Sequence, residues 1–129
     1  MAAHIENAIL DQSLTYLGTN TLRVDLCGTE PTTYTEATST YTLANATSGA
    51  GFTAPLIGAP GAKAPNGRQV STAVVASAAV TGSGTANWVA YTKNTATTAL
   101  HVVLSMTAQA LTSGNTWGQA ASTIGIPNQ

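Results

Sequence analysis

The chain has 129 residues, only four of them Lys or Arg and five Asp or Glu, for a net charge of −1. Ionic side chains make up 7% of the sequence, against about 25% in an average globular domain. That scarcity excludes the basic stripe a nucleic-acid binder or an anionic-membrane binder needs, since Arg23, Lys63, Arg68 and Lys93 are scattered and balanced by acids.

The first predicted element is a helix over about residues 4–18. Ile5, Ile9, Leu10, Leu14 and Leu17 recur at helical spacing and gather on one face. Glu6 and Asp11 lie toward the end where negative charge suits the helix dipole, and Gly18 offers a left-handed stop. The period then changes to two. Leu22, Val24 and Leu26 alternate with Arg23, Asp25 and Cys27, which predicts a half-buried strand with Arg23 and Asp25 paired on its solvent face. Gly28 to Pro31 is turn chemistry, and Tyr41 and Leu43 mark a second strand on one face.

Residues 48–68 change character. Ser48, Gly49, Gly51, Pro55, Gly58, Pro60, Gly61, Pro65 and Gly67 predict a long Gly/Pro-rich loop with little regular structure. Loops of this length inside a domain are uncommon, and are functional or disordered when they occur. Phe52, Leu56 and Ile57 lie in it, and two readings stay open: they cap the domain's own core, or they contact a partner subunit.

Beyond Arg68 the alternation returns. Val70, Val74, Ala76, Ala78 and Val80 read as one long strand, and Thr81 to Thr85 as a glycine hairpin turn. Trp88 and Ala90 alternate with Val89 and Tyr91 in the next strand. Asn94 to Thr98 turns the chain, and Leu100, Val102, Leu104 and Met106 share a face. A further turn at Thr112 to Thr116 leads to Trp117 and a closing Ile124-Gly125-Ile126-Pro127. Short strands at this spacing with glycine turns predict a mainly β fold, an antiparallel sandwich or jelly roll in one domain, with one N-terminal helix.

Candidate chemistry is sparse. His4 sits near the terminus and His101 on the off-face of a strand, and neither is expected to act as the base that nucleophilic catalysis needs. Cys27 is the single cysteine, so neither an intrachain disulfide nor a zinc-ligand spacing exists, and a small apolar strand side chain is the expected role. Glu30 and Glu36 are the nearest pair of carboxylates for sugar hydrolysis, but they flank a Thr-rich turn. Gly49 to Ala54 fits a dinucleotide fingerprint in letters only, because Pro55, Gly58 and Pro60 follow where a helix is required. Trp88 reads as core, while Trp117 is either a core cap or an interface anchor. No enzyme activity, cofactor or metal is expected. No run approaches the ~18 apolar residues of a membrane span. Met1 to Asn7 has no basic start or apolar run of a signal peptide, so cytoplasmic synthesis without processing is the expectation.

Three phrases carry a resemblance. They are Cys27-Gly28-Thr29-Glu30-Pro31-Thr32-Thr33-Tyr34-Thr35-Glu36-Ala37, continuing to Tyr41-Thr42-Leu43-Ala44; Val80-Thr81-Gly82-Ser83-Gly84-Thr85-Ala86 with Trp88; and Leu111-Thr112-Ser113-Gly114-Asn115-Thr116 ahead of Ile124 to Pro127. Together they resemble small virion structural proteins encoded by tailed bacteriophages. The resemblance implies a capsid decoration, or cement, protein that binds the outer surface of the major capsid protein shell. It also implies a homo-oligomer, a trimer foremost, and no catalytic residues. Partner contacts are then expected at Phe52, Leu56, Ile57, Lys63, Arg68 and Trp117, with the loop ordering on the shell. A tail, fibre or adaptor component is the second expectation, and a carbohydrate-binding module a remote third.

Overall fold

The computed structural model describes residues 5–64 and 66–126; His4, Pro65 and Pro127 lie outside them. Helix α1 spans Asn7–Asn20. Among the described residues ten strands follow: β1 (Arg23–Cys27), β2 (Thr42–Ser48), β3 (Gly51–Phe52), β4 (Gly61–Ala62), β5 (Arg68–Ser71), β6 (Val75–Ala79), β7 (Gly84–Asn94), β8 (Thr98–Leu111), β9 (Thr116–Gln119) and β10 (Thr123–Ile126). They form a five-stranded sheet in the order β3-β2-β1-β7-β8, a three-stranded sheet β10-β5-β4 and a two-stranded sheet β6-β9. All ladders are antiparallel except β2–β3. The fold is mainly β and sandwich-like, with one N-terminal helix, as the alternation predicts.

The main core lies on one face of the five-stranded sheet. Val24 and Leu26 of β1 and Val89 and Tyr91 of β7 meet Leu14 from the helix, Val70, Val75 and Trp117 there. Alternate residues of the same strands must point to the other face, where Cys27 and Ala90 form a second cluster with Ala37, flanked by Tyr41, Trp88 and Leu100. A π-helical turn at Glu36–Thr40 supplies Ala37 to that cluster. Its entry is a capping box: the Glu36 N–H donates to Thr33 Oγ1 at 3.2 Å, and the Glu36 carboxylate accepts from the Thr33 N–H at 3.2 Å and the Thr32 N–H at 2.7 Å. These bonds, first the Thr32 amide, hold the Glu36 carboxyl below its usual range.

Several expectations change. The helix continues through Gly18 to Asn20, and Gly18 has no left-handed backbone. Leu10 and Leu14 are its buried residues, whereas Ile5 and Ile9 are exposed. β1 is buried on both faces, so Arg23 and Asp25 do not pair in solvent: Asp25 is 0% exposed. Tyr41 packs in the second cluster and Leu43 against the first, so they do not share a face. The long strand expected over 70–80 breaks into β5 and β6, leaving Val74 exposed. The glycine segment after Val80 is not a hairpin turn, because β6 pairs with β9 and β7 with β1 and β8. Leu100 and Val102 separate to opposite faces because the β7–β8 register slips between Tyr91 and Thr92, with His101 as the extra residue.

The Gly/Pro segment is also more ordered than its composition predicts. Gly51, at φ +128°, brings β3 beside β2 so closely that a Cβ there would sit 2.6 Å from the Ala46 Cβ and 2.9 Å from that of Ala78. Farther on, Ile57 bridges to Thr72, and the Ala73 N–H donates to the Leu56 carbonyl at 2.7 Å. Backbone bonds of this kind fix the segment against the sandwich.

Candidate functional site

The six residues expected to contact a partner are placed as follows. Phe52, Leu56 and Ile57 are buried in the chain's own main core, and Trp117 joins them at 7% exposure. In the isolated chain these four are buried, the placement that the core-capping reading of the loop and of Trp117 expects, and Trp117 also lines a cleft. Arg68 reaches back to the helix, with Nε 2.6 Å from Asp11 Oδ1 and Nη2 3.1 Å from Asp11 Oδ2. This ion pair ties α1 to β5. Lys63 is half-buried, its aliphatic stem lying over Gly125.

The most chemically loaded place inside the fold is the second face of β1. Arg23 donates to both Asp25 oxygens, at 2.6 and 2.7 Å, and the Thr42 hydroxyl donates to Asp25 Oδ2 at 2.8 Å. Arg23 also reaches the Thr38 carbonyl at 3.3 Å, which anchors the π-helical turn. Burial pushes the Asp25 carboxyl up, against the pull of Arg23 and Thr42, while the hydrogen bond to Asp25 raises Arg23. The two directions pull against each other. The bidentate geometry fits an ionised carboxylate, and we take the pair as a salt bridge. Next to it, Cys27 donates to the Ala37 carbonyl at 3.4 Å, and burial pushes its thiol up to about 12. A thiol held there stays protonated at neutral pH and is a poor nucleophile. Among the described residues, no three His, Cys, Asp or Glu side chains gather closely enough to hold a metal ion.

Two surfaces stand out. One is strand β8, 14 residues long and at the end of the five-stranded sheet, hydrogen-bonded only to β7 among the described strands. Its sequence from Thr98 to Leu111 contains no Asp, Glu, Lys, Arg, Gly or Pro. Edge strands are usually blunted by lysine, proline, bulges or brevity. Here two register shifts are the sole such device. Leu104 is 36% exposed on this strand. The surface continues onto α1: the Tyr16 and His101 rings lie 5.9 Å apart, and Thr21 Oγ1 lies 2.9 Å from His101 Nδ1. Ile9 and Tyr16, seven residues apart and so on one side of the helix, are 60% and 59% exposed. The Nε2 atom of His101 is buried without a partner in the fold.

The other surface is a cleft of about 430 Å³ between β8 and β9. Although only a short turn joins these strands, they do not pair with each other. Leu26, Val80 and Trp117, all buried, line it together with Met106 and the amides of Gln109, Asn115 and Gln119. The Trp117 indole N–H has no hydrogen-bond partner. Neither surface was visible as a site in the sequence. The one legible signal was the run without charge from Thr98 to Leu111; the three amides are grouped only by folding.

Comparisons with protein-family models, with curated proteins and with solved structures found no match for this chain.

Proposed function

We propose that this chain is a non-enzymatic structural subunit of a tailed-bacteriophage particle, seated as a decoration protein on the outer surface of the major capsid protein shell. The sequence resemblance supports the setting. The observation that carries the role is strand β8, an uncharged 14-residue edge whose apolar surface runs on to Tyr16 and Ile9. An unpaired strand edge offers backbone donors and acceptors to a neighbouring chain. Apolar area beside it contributes roughly 25 cal/mol per Å² once covered. With two of its four cations, Arg23 and Arg68, held in internal ion pairs, the chain has little charge left for recognising nucleic acid.

Counting copies in purified particles by quantitative mass spectrometry tests the reading. A copy number close to that of the coat protein is expected. A handful of copies confined to one vertex would instead assign the chain to the tail or a fibre. The cleft favours a second reading, as a carbohydrate-binding module. Amides both donate and accept, which suits sugar hydroxyls, and Gln109, Asn115 and Gln119 stand around Trp117. A glycan screen with millimolar or better binding, lost in Trp117→Ala, supports that second reading; no binding removes it.

A further inference from the structure

We infer that Asn66 is a site of spontaneous covalent modification, in which its side-chain amide is lost as ammonia through a cyclic imide formed with the Gly67 backbone nitrogen. The reaction needs no partner and no co-reactant except water, so it stands apart from either reading of the function.

Sequence and fold each narrow the choice of asparagine. An imide forms when a backbone nitrogen attacks the side-chain carbonyl carbon of the asparagine before it. The residue that carries this nitrogen decides how closely the two groups approach. Glycine, without a Cβ, obstructs the approach least and leaves the backbone freest to turn. Asparagine occurs at positions 7, 20, 45, 66, 87, 94, 115 and 128, and only Asn66 precedes a glycine. Asn45 and Asn87 lie within strands β2 and β7. Asn20 donates through Nδ2 to the Tyr16 carbonyl at 2.9 Å, and the Thr21 N–H beyond it donates to the Leu17 carbonyl at 2.9 Å. Asn94 and Asn115 are exposed, but the branched Thr95 and Thr116 follow them.

Asn66 is exposed in the connection between β4 and β5. Gly67 stands at φ +107°, where a side chain would be strained. Its carbonyl accepts from the Lys63 N–H at 3.0 Å, which closes the connection. Among the described residues, neither the Asn66 amide nor the Gly67 N–H has a hydrogen-bond partner. Both reacting groups are therefore free.

The steps balance without oxidation or reduction. The Gly67 nitrogen bonds to Asn66 Cγ, the Cγ–Nδ2 bond breaks, and the Gly67 amide proton leaves with Nδ2 as ammonia. Water then opens the ring at one of its two carbonyls, leaving aspartate or isoaspartate at position 66. Either product sets a carboxylate between Lys63 and Arg68 in the sequence, two of the chain's four cations, and adds one negative charge to a net charge of −1. The isoaspartate form also routes the main chain through the side-chain carbon, which lengthens the connection that Lys63 and Gly67 close.

Ageing the intact chain in mildly alkaline buffer, followed by peptide mapping with mass spectrometry, tests this. The peptide containing Asn66 is expected to gain about 1 Da and to split into aspartate and isoaspartate forms on chromatography. Peptides containing Asn94 and Asn115 are expected to stay unchanged over the same time. Isoelectric focusing shows a matching acidic shift, absent in Asn66→Ser. The folded chain is expected to react at a rate of the same order as the chain unfolded in urea, because the fold leaves both groups free. Gly67→Ala slows the reaction several-fold in urea, where no difference in folding enters. An Asn66 that stays intact in the folded chain while it reacts in urea overturns the inference. So does a Gly67→Ala variant that reacts as fast as the wild type.

Discussion

β1 and β8 belong to the same five-stranded sheet, and their fates differ more than their sequences do. β1, five residues long, has β2 on one side and β7 on the other. The sandwich core covers one of its faces, and the 28–41 segment with its π-helical turn covers the other. It buries an ionisable side chain completely. β8 is almost three times as long and carries no acid and no Lys or Arg, yet only Leu111 at its end is buried. Polarity has gone inside and apolar surface has stayed out. Place in the sheet decided burial: a central strand is enclosed whatever its residues, provided each polar group finds a partner, and an edge strand keeps one side open.

The comparison breaks most sharply at Asp25. Asp25→Ala leaves the Arg23 guanidinium, 19% exposed, without its carboxylate. Removing one partner of a buried pair costs about 3–5 kcal/mol, and urea unfolding is expected to show a loss of that size. A loss under about 1 kcal/mol would mean that β1 is not enclosed as described. A matched substitution sharpens the contrast. Leu26→Ala in β1, at 3% exposure, is expected to cost about 2–5 kcal/mol, whereas Leu104→Ala in β8, at 36%, costs about 1 kcal/mol or less. Both are measured by denaturant unfolding, and equal costs would erase the distinction between the strands.

The smallest effect is at the junction of β8 and the helix. Burial first, and then the Lys93 ammonium, hold the His101 imidazole below its ordinary value. As pH falls, the unfolded chain therefore takes up this proton before the folded one does. The contribution of the neutral ring is complete above about pH 6.5 and is lost as pH falls through the folded value. The urea midpoint is expected to be flat between about pH 7 and 8 and to decline below about pH 6.5. The decline is expected to weaken in His101→Asn, and an unchanged profile in that variant would assign it to other groups.

The strand alternation and the helical spacing of Leu10, Leu14 and Leu17 were legible because each records which side of one element meets the core. Thr33 and Glu36 also carried a capping-box spacing that identifies the start of the π-helical turn, a signal that Thr-rich composition obscured. Partnering was not legible. The glycine run at Gly82 and Gly84 has hairpin chemistry, but β6 finds β9 across 36 residues of chain from Ala79 to Thr116 and leaves β7 to β1. Phe52, Leu56 and Ile57, set among Gly and Pro, could be read from the sequence as core caps or as partner contacts. They are core because β3 and the Ile57 bridge hold their backbone against the sandwich.

By itself, the sequence determined a mainly β chain with one helix, little charge and a strand-long stretch free of ions. Those properties are local: they follow from composition and from periods of two and 3.6 residues. Tertiary structure decided which strand became the covered centre and which the open edge. It also decided that Arg23 and Asp25 pair out of water and that three distant amides share a cleft. Each of these depends on contacts between residues far apart in the chain, and periodicity along a single segment carries no record of them.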